Sequence, residues 1–263
     1  MNRILFEPDE ILDGHATFSG VRAEHVLNVL HGEVGQTLKT GVLNGSIGTS
    51  VIERIEGGSV TVRCTHETPS LPPWIDLILA PPRPRVMKRL LPQLATLGVR
   101  RIFLVGAEKV EKAFWGAQLL KEEIYRPLLV DGLQQAGTTA VPIIHIAKSF
   151  RRFIDFKLDS AFGGQSPRIV AHPAARSASA PYQAILRGQS PEFWGQSPDF
   201  PCGARGARAL PVLAVGPEGG WTDEEVARLE EKGFVRMSLG PRILRTDTAL
   251  IALLSRLMQT YDT

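Results

Sequence analysis

The chain has 263 residues, 43% of them apolar and 22% charged, with a formal net charge of +3, a length that suggests one to two domains able to bury a sizeable core and excludes a small module or a large assembly protein. Its apolar runs are broken by Pro, Gly or Arg short of the roughly 18 residues a membrane span needs, and its start, MNRILFEPDE, is acidic, so neither secretion nor a membrane partner is expected. Cys64 and Cys202 fit neither a disulfide framework nor a metal-ligand spacing, and the histidines form no HExxH and no tight pair, so a cytoplasmic setting and no metal are expected.

Residues 1–70 carry several short candidate strands, at 3–6, 37–43, 47–54 and 59–64. In the last, Val60, Val62 and Cys64 alternate with Ser59, Thr61 and Arg63, the period of a strand with one buried face. Leu43-Asn44-Gly45-Ser46 and Glu56-Gly57-Gly58-Ser59 read as hairpin turns. Residues 23–30 form one short helix. The segment reads as a small β-barrel-like domain, and Pro69, Pro72 and Pro73 mark its exit.

A different pattern follows over residues 74–263. Ile75 to Ala80 reads as a strand, Met87 to Leu97 as a helix and Ile102 to Val105 as a strand, the order of a parallel α/β unit. Pro92 conflicts with that helix and implies a kink or an earlier end. A helical region spans about 116–136, and strands follow at Ile143 to Ile146 and Arg168 to Ala171. Residues 174–208 are rich in Ser, Pro, Gly and Gln, and Gly-Gln-Ser-Pro recurs at 164–167, 188–191 and 195–198; this reads as an insertion or mobile loop.

The last sixty or so residues are regular again. A strand, Leu213 to Val215, runs into GPEGGW, and Thr222 with Glu225 forms a capping-box signature, so the glycine turn opens directly onto a helix reaching about Lys232. A strand at Val235 to Leu239 leads to a second loop, Gly240 to Arg245, and Thr246 or Asp247 begins a closing helix. Glycine turns at strand ends allow close backbone approach to a small molecule with polar edges. Neither is a phosphate loop, a dinucleotide fingerprint or a nucleophile elbow, and read by spacing alone both could equally be structural turns.

Basic residues cluster. Arg83, Arg85, Lys88, Arg89, Arg100 and Arg101 form a run with no acid among them, and Arg205, Arg208, Arg236, Arg242 and Arg245 surround the C-terminal glycine segments. This placement permits a nucleic-acid partner without requiring one.

The pair GPEGGWTDEE and LGPRILRTDTA, in this order and each followed by a helix, resembles the signature of the RsmE family, bacterial methyltransferases of the SPOUT superfamily that methylate N3 of a uridine in 16S ribosomal RNA. MNRILF, HVLNVLHGEVGQ and LILAPPRPRVMKRLLPQLATLGVRRI are similar to the family's earlier blocks, so the resemblance spans nearly all of the chain outside 174–208. It implies a PUA-like RNA-binding β-barrel over 1–70, an α/β SPOUT domain with a mostly parallel sheet and a deep trefoil knot over 74–263, and a homodimer. It also implies S-adenosylmethionine as cofactor and 16S rRNA or the 30S subunit as partner, with no DNA. The cofactor residues it implies are Ala171 and His172; Val215, Gly216, Pro217, Glu218, Gly219 and Gly220; Leu239, Gly240, Ile243, Leu244 and Arg245; and Thr248 and Ala249. Arg245 and Arg242 are the implied catalytic cations, placed to favour an anionic uracil. Arg3, Arg22 and His25 on the barrel, with Arg83 and Arg85 at the seam, are the implied RNA contacts.

The substrate side departs from the family pattern. His31 stands for an Arg, Arg83 for a Lys, Gln93 for a Lys, Thr96 for an acid, Gln134-Gln135-Ala136 for Glu-Gln-Ser, and Asp247 for a Glu. Three other readings therefore stay open at this level: a methyltransferase acting on a different RNA site, a non-catalytic RNA-binding or ribosome-assembly dimer, and a small-molecule methyltransferase.

Overall fold

The computed structural model describes residues 2–163, 166–173 and 209–261. The expected insertion at 174–208, with Cys202, lies outside the described residues.

The chain separates into two compact units. In the first, β1 (Ile4–Phe6), β2 (Ile11–Leu12), β3 (His15–Phe18), β4 (Thr37–Val42), β5 (Ile47–Glu56) and β6 (Ser59–Thr68) form one sheet in the order β1-β4-β5-β6-β3-β2. Only the β1–β4 pairing is parallel. The alternation read at 59–64 is real: Val60 and Val62 are fully buried and join Phe6, Phe18, Leu38 and Ile52 in the core. Both hairpins form as expected, the second with Gly57 and Gly58 at φ 56° and 78°, the two left-handed positions a tight twisted hairpin demands. The expected helix at 23–30 is a single α turn, α1 (Val21–Glu24), widening into a π turn at His25–Val29.

Residues 126–141 group with this first unit and not with the α/β domain expected over 74–263. The reason is a set of specific bonds. Gln134 O accepts from the backbone N–H groups of Asn2 and Arg3, both at 3.2 Å, and Arg126 pairs with Glu7. Thr139 N donates to Ser70 Oγ at 3.0 Å and Val141 N to Asn44 Oδ1 at 2.9 Å.

The second unit is an α/β layer structure. β7 (Ile75–Leu79), β8 (Val99–Val105), β9 (Ile143–Ala147), β10 (Arg168–Ala171), β11 (Val212–Val215) and β12 (Val235–Met237) form a fully parallel sheet in the order β12-β10-β11-β7-β8-β9. Its described helices are α2 (Pro84–Thr96), α3 (Glu122–Ala136, whose residues from Arg126 belong to the first unit), α4 (Phe150–Phe156), α5 (Leu158–Phe162), α6 (Asp223–Glu231) and α7 (Thr246–Tyr261). The central strands β7 and β11 are buried at every position, as strands covered on both faces must be. Pro92 does not end α2, which begins earlier than expected, with Pro84 in its first turn, and runs through Pro92 to Thr96. No helix among the described residues is long and apolar enough to cross a membrane.

Asp76 is the exception inside β7. It is 1% exposed and accepts from two consecutive arginines, Arg100 Nε and Arg101 Nε on Oδ1 at 3.0 and 3.1 Å and their Nη2 groups on Oδ2 at 2.5 and 2.6 Å. A register shift in the β7–β8 pairing lets neighbouring residues reach one carboxylate. Arg101 also lies over Phe103 and Phe162, 5.4 and 5.2 Å from the ring centres. These two arginines, part of the acid-free run in the sequence, are therefore interior anchors.

Candidate functional site

The C-terminal ends of β10, β11 and β12 open onto one cavity of about 500 Å³. In parallel α/β sheets this is where ligands sit, because loops and helix N-termini converge there. The volume falls in the range of small-molecule sites.

Two loops close the cavity. The first, after β11, is Gly216 to Trp221. Its helical exit is set by a reciprocal capping box: Glu225 N donates to Thr222 Oγ1 at 3.3 Å and Thr222 N to Glu225 Oε2 at 2.9 Å. Glu225, only 6% exposed, also accepts from Glu108 N at 2.8 Å, tying α6 to the segment after β8. The loop is pinned twice more, by Lys109 Nζ donating to Gly219 O at 2.9 Å and by Arg83 N donating to Glu218 Oε1 at 3.0 Å. Gly216 is closely packed, since a Cβ there would lie 3.0 Å from Trp221 N and the loop would have to give by a few tenths of an ångström to admit it.

The second loop follows β12. His172 N donates to Met237 O at 3.0 Å and Ser238 Oγ donates to Pro173 O at 3.3 Å, so the ends of β10 and β12 are held together beneath it. Gly240 sits at φ 114°, a conformation L side chains rarely adopt. Ala249 N donates to Arg245 O at 2.8 Å, which fixes the start of α7.

Of the residues expected around a cofactor, all but Arg245 and Thr248 line this cavity, and Arg242 lines it as well. Arg245 and Thr248 lie outside its wall and meet at Asp247: Arg245 Nε is 3.8 Å from Oδ1, and Thr248 N donates to Oδ1 at 3.0 Å. Trp221, Met237, Ser238, Thr246 and Leu253 also contribute to the wall and were missed. Trp221 directly follows GPEGG and Leu253 stands one helical turn beyond Ala249, so both were signalled by position. Trp221 is 6% exposed, its ring packs 5.5 Å from that of Phe150, and its Nε1 finds no acceptor among the described residues.

The wall is largely apolar. Burial, with Arg236 adding to it, pushes the His172 imidazole below its ordinary value and favours the neutral form at neutral pH. Arg236 is itself held by Glu230 through bonds of 2.7 and 2.8 Å. Arg242 and Arg245 are both exposed, and Arg242 has no carboxylate partner among the described residues. No cluster among the described residues has the ligands for a metal ion.

The residues expected to meet RNA fall into two groups. Arg3 Nη1 donates to Thr40 O at 2.6 Å and Gly48 O at 2.9 Å, and its Nε is buried. Arg22 grips Glu10 with both nitrogens, donates to Leu5 O at 3.1 Å and lies over Phe6 and Phe18. His25 has its Nε2 buried. The structure thus engages Arg3 and Arg22 inside the first unit, where each finds acceptors, and buries Nε2 of His25 with no partner among the described residues. Arg83 is exposed and pairs with Glu111 at 2.8 Å, while Arg85 is exposed on α2.

Comparison with known proteins places the chain. Residues 69–258 match the family described as the RNA methyltransferase domain. The chain is similar to the ribosomal RNA small subunit methyltransferase E of Treponema pallidum, 30% identical over 257 residues, covering 96% of this chain and 88% of that protein. It is 24% identical to the protein of the same name from Bacillus subtilis, over 94% of this chain and 91% of that one. The crystal structure of a ribosomal RNA small subunit methyltransferase E from Neisseria gonorrhoeae bound to S-adenosyl methionine shares the fold, with a TM-score of 0.68 at 22% identity over 99% of this chain and 98% of that chain.

Proposed function

The chain belongs to the ribosomal RNA small subunit methyltransferase E family, and on that footing we propose that it transfers a methyl group from S-adenosylmethionine to N3 of a uridine in 16S ribosomal RNA. The observation that carries this reading is the single cavity formed by the two glycine loops at the ends of β10, β11 and β12.

The residues present fit the cofactor. Val215, Met237, Leu239 and Leu253 offer an apolar wall for a purine ring, and the exposed backbone of the loops offers polar edges. The buried Trp221 Nε1–H, with no acceptor among the described residues, leaves a donor for a ligand acceptor. His172, kept neutral by burial, adds no repulsion toward a sulfonium. When bound, S-adenosylmethionine supplies an electrophilic methyl carbon on a positively charged sulfur.

The protein's own share of the chemistry is positioning and charge. Arg242 at the cavity wall and Arg245 beside it are the cations proposed to stabilise the uracil anion formed when N3 gives its proton to solvent, before N3 takes the methyl group and S-adenosylhomocysteine leaves. Arg85, exposed on α2, and Arg83, whose side chain stays exposed while its Nε bonds Glu111, are the groups proposed for RNA phosphates, a role Arg3, Arg22 and His25 fill less well because their polar atoms are buried or engaged inside the first unit. The mixed six-stranded sheet of the first unit supports the PUA-like reading. β10 lies between the later strands β11 and β12, and α7 returns to α2 through the Arg89–Asp247 pair, an arrangement that supports a knotted SPOUT topology. Ile243 and Leu244, 87% and 37% exposed beside the cavity, are apolar surface that the proposed homodimer would cover.

Calorimetric titration of the full chain with S-adenosylmethionine tests the reading. Saturable binding in the micromolar range is expected. Absence of saturation up to millimolar cofactor contradicts it.

A further inference from the structure

Arg245 has its backbone fixed by the first turn of α7, yet its side chain is 75% exposed and stands outside the cavity wall. A long cation in that setting samples many rotamers unless something holds it. The carboxylate of Asp247 is the group placed to do so. Its Oδ1 lies 3.8 Å from Arg245 Nε and accepts the Thr248 N–H at 3.0 Å, while its Oδ2 accepts from Arg89 Nη2 at 3.2 Å. Arg89 comes from the middle of α2, 158 residues away in the chain. One carboxylate, 23% exposed, therefore links α2, the first turn of α7 and the arginine next to the cavity.

Resting on the methyltransferase reading, we infer that Asp247 is a positioning residue: anchored to α2 by Arg89, it holds the Arg245 guanidinium beside the cavity, and its influence on the reaction passes through Arg245. Exposed ion pairs of this kind add little to folding stability, so the consequence of the link is geometric. Because both carboxylate oxygens are engaged from different elements, the carboxylate is held in place and presents Oδ1 to Arg245 in one orientation. Arg242, by contrast, lines the cavity and has no carboxylate partner among the described residues, so the device acts on one of the two arginines only.

The test is a double-mutant cycle read two ways on the full chain. Asp247→Asn keeps the shape and removes the charge; it should lower the methylation kcat about tenfold and leave the affinity for S-adenosylmethionine nearly unchanged. In an Arg245→Ala background the same substitution should cause no further loss, and Asp247→Glu should restore most of the rate. A second readout needs no turnover: the Arg245 Nε–H resonance, assigned by its disappearance in Arg245→Ala, should shift and broaden in Asp247→Asn and return in Asp247→Glu. Equal fractional losses from Asp247→Asn with and without Arg245, or an Arg245 Nε–H signal indifferent to Asp247, overturns the inference. A wild-type chain that neither binds S-adenosylmethionine nor methylates RNA overturns the methyltransferase reading instead, and the resonance still decides whether Asp247 holds Arg245.

Discussion

Thr222 and Glu225 bond to each other in both directions, side chain to backbone, at the point where the first glycine loop becomes a helix. That pair converts a flexible GPEGG sequence into one wall of a cavity, because the chain leaves the loop at a fixed angle. Thr222→Ala should cost about 1 kcal/mol. Glu225→Ala should cost more, about 1–3 kcal/mol, since it also strands the Glu108 N–H. Urea unfolding would measure both, and cofactor affinity should fall in the same order. Equal stability of the two variants and wild type would contradict the role given to the cap.

The buried ion triad of the parallel sheet makes a sharper stability prediction. Asp76→Ala leaves two guanidinium groups, 17% and 18% exposed, without their common counter-ion. Removing one partner of a buried pair typically costs about 3–5 kcal/mol. A urea midpoint close to that of the wild type would show that water reaches the arginines and replaces the carboxylate.

Stability should fall as pH drops below neutrality. His66, His145 and His172 are all pushed below the ordinary histidine value of 6.5, each mainly by burial. The unfolded chain therefore takes up protons at a higher pH than the folded one, and unfolding free energy declines from about 6.5 downward until the folded pKa values are passed. Glu10, lowered by its bond to Arg22, adds a further loss as pH falls from its ordinary value of 4.5 through its depressed one. Chemical unfolding at stepped pH between neutrality and pH 5 checks the histidine window. A flat profile there would contradict it.

The two arginines near the cavity should separate kinetically. Arg242 lines the wall and Arg245 does not. Arg242→Ala is expected to weaken S-adenosylmethionine binding and to slow methylation. Arg245→Ala should slow methylation with little change in cofactor affinity. If the two variants show the same pattern, the distinction drawn from the cavity wall fails.

Local periodicity and turn chemistry made much of this molecule readable from its residues. Val60 and Val62 announced a half-buried strand, Gly57-Gly58 a hairpin, and Thr222 with Glu225 a helix start, because each signal lies within a few residues of its effect. The strand β3 and the short helices α4 and α5 were not seen, since four to seven residues are too few to display a period. The grouping of residues 126–141 with the first unit depends on Gln134, Arg126 and Thr139 finding partners far away in sequence. In the site, the glycine loops were legible by motif and Trp221 by its place directly after the first of them, whereas Met237 in the wall required the fold to bring it there. The arginine run at 83–101 misled in part: Asp76, which takes up Arg100 and Arg101, is an acid inside an apolar strand, and Asp247, which takes up Arg89, lies at the opposite end of the chain.

Methyl transfer itself is the central claim, and labelled S-adenosylmethionine incubated with the full chain and 30S subunits lacking the modification tests it most directly. Mass spectrometry of the digested RNA should find label on N3 of a single uridine of 16S rRNA. Label on another nucleoside, or none in the presence of demonstrated cofactor binding, would contradict it.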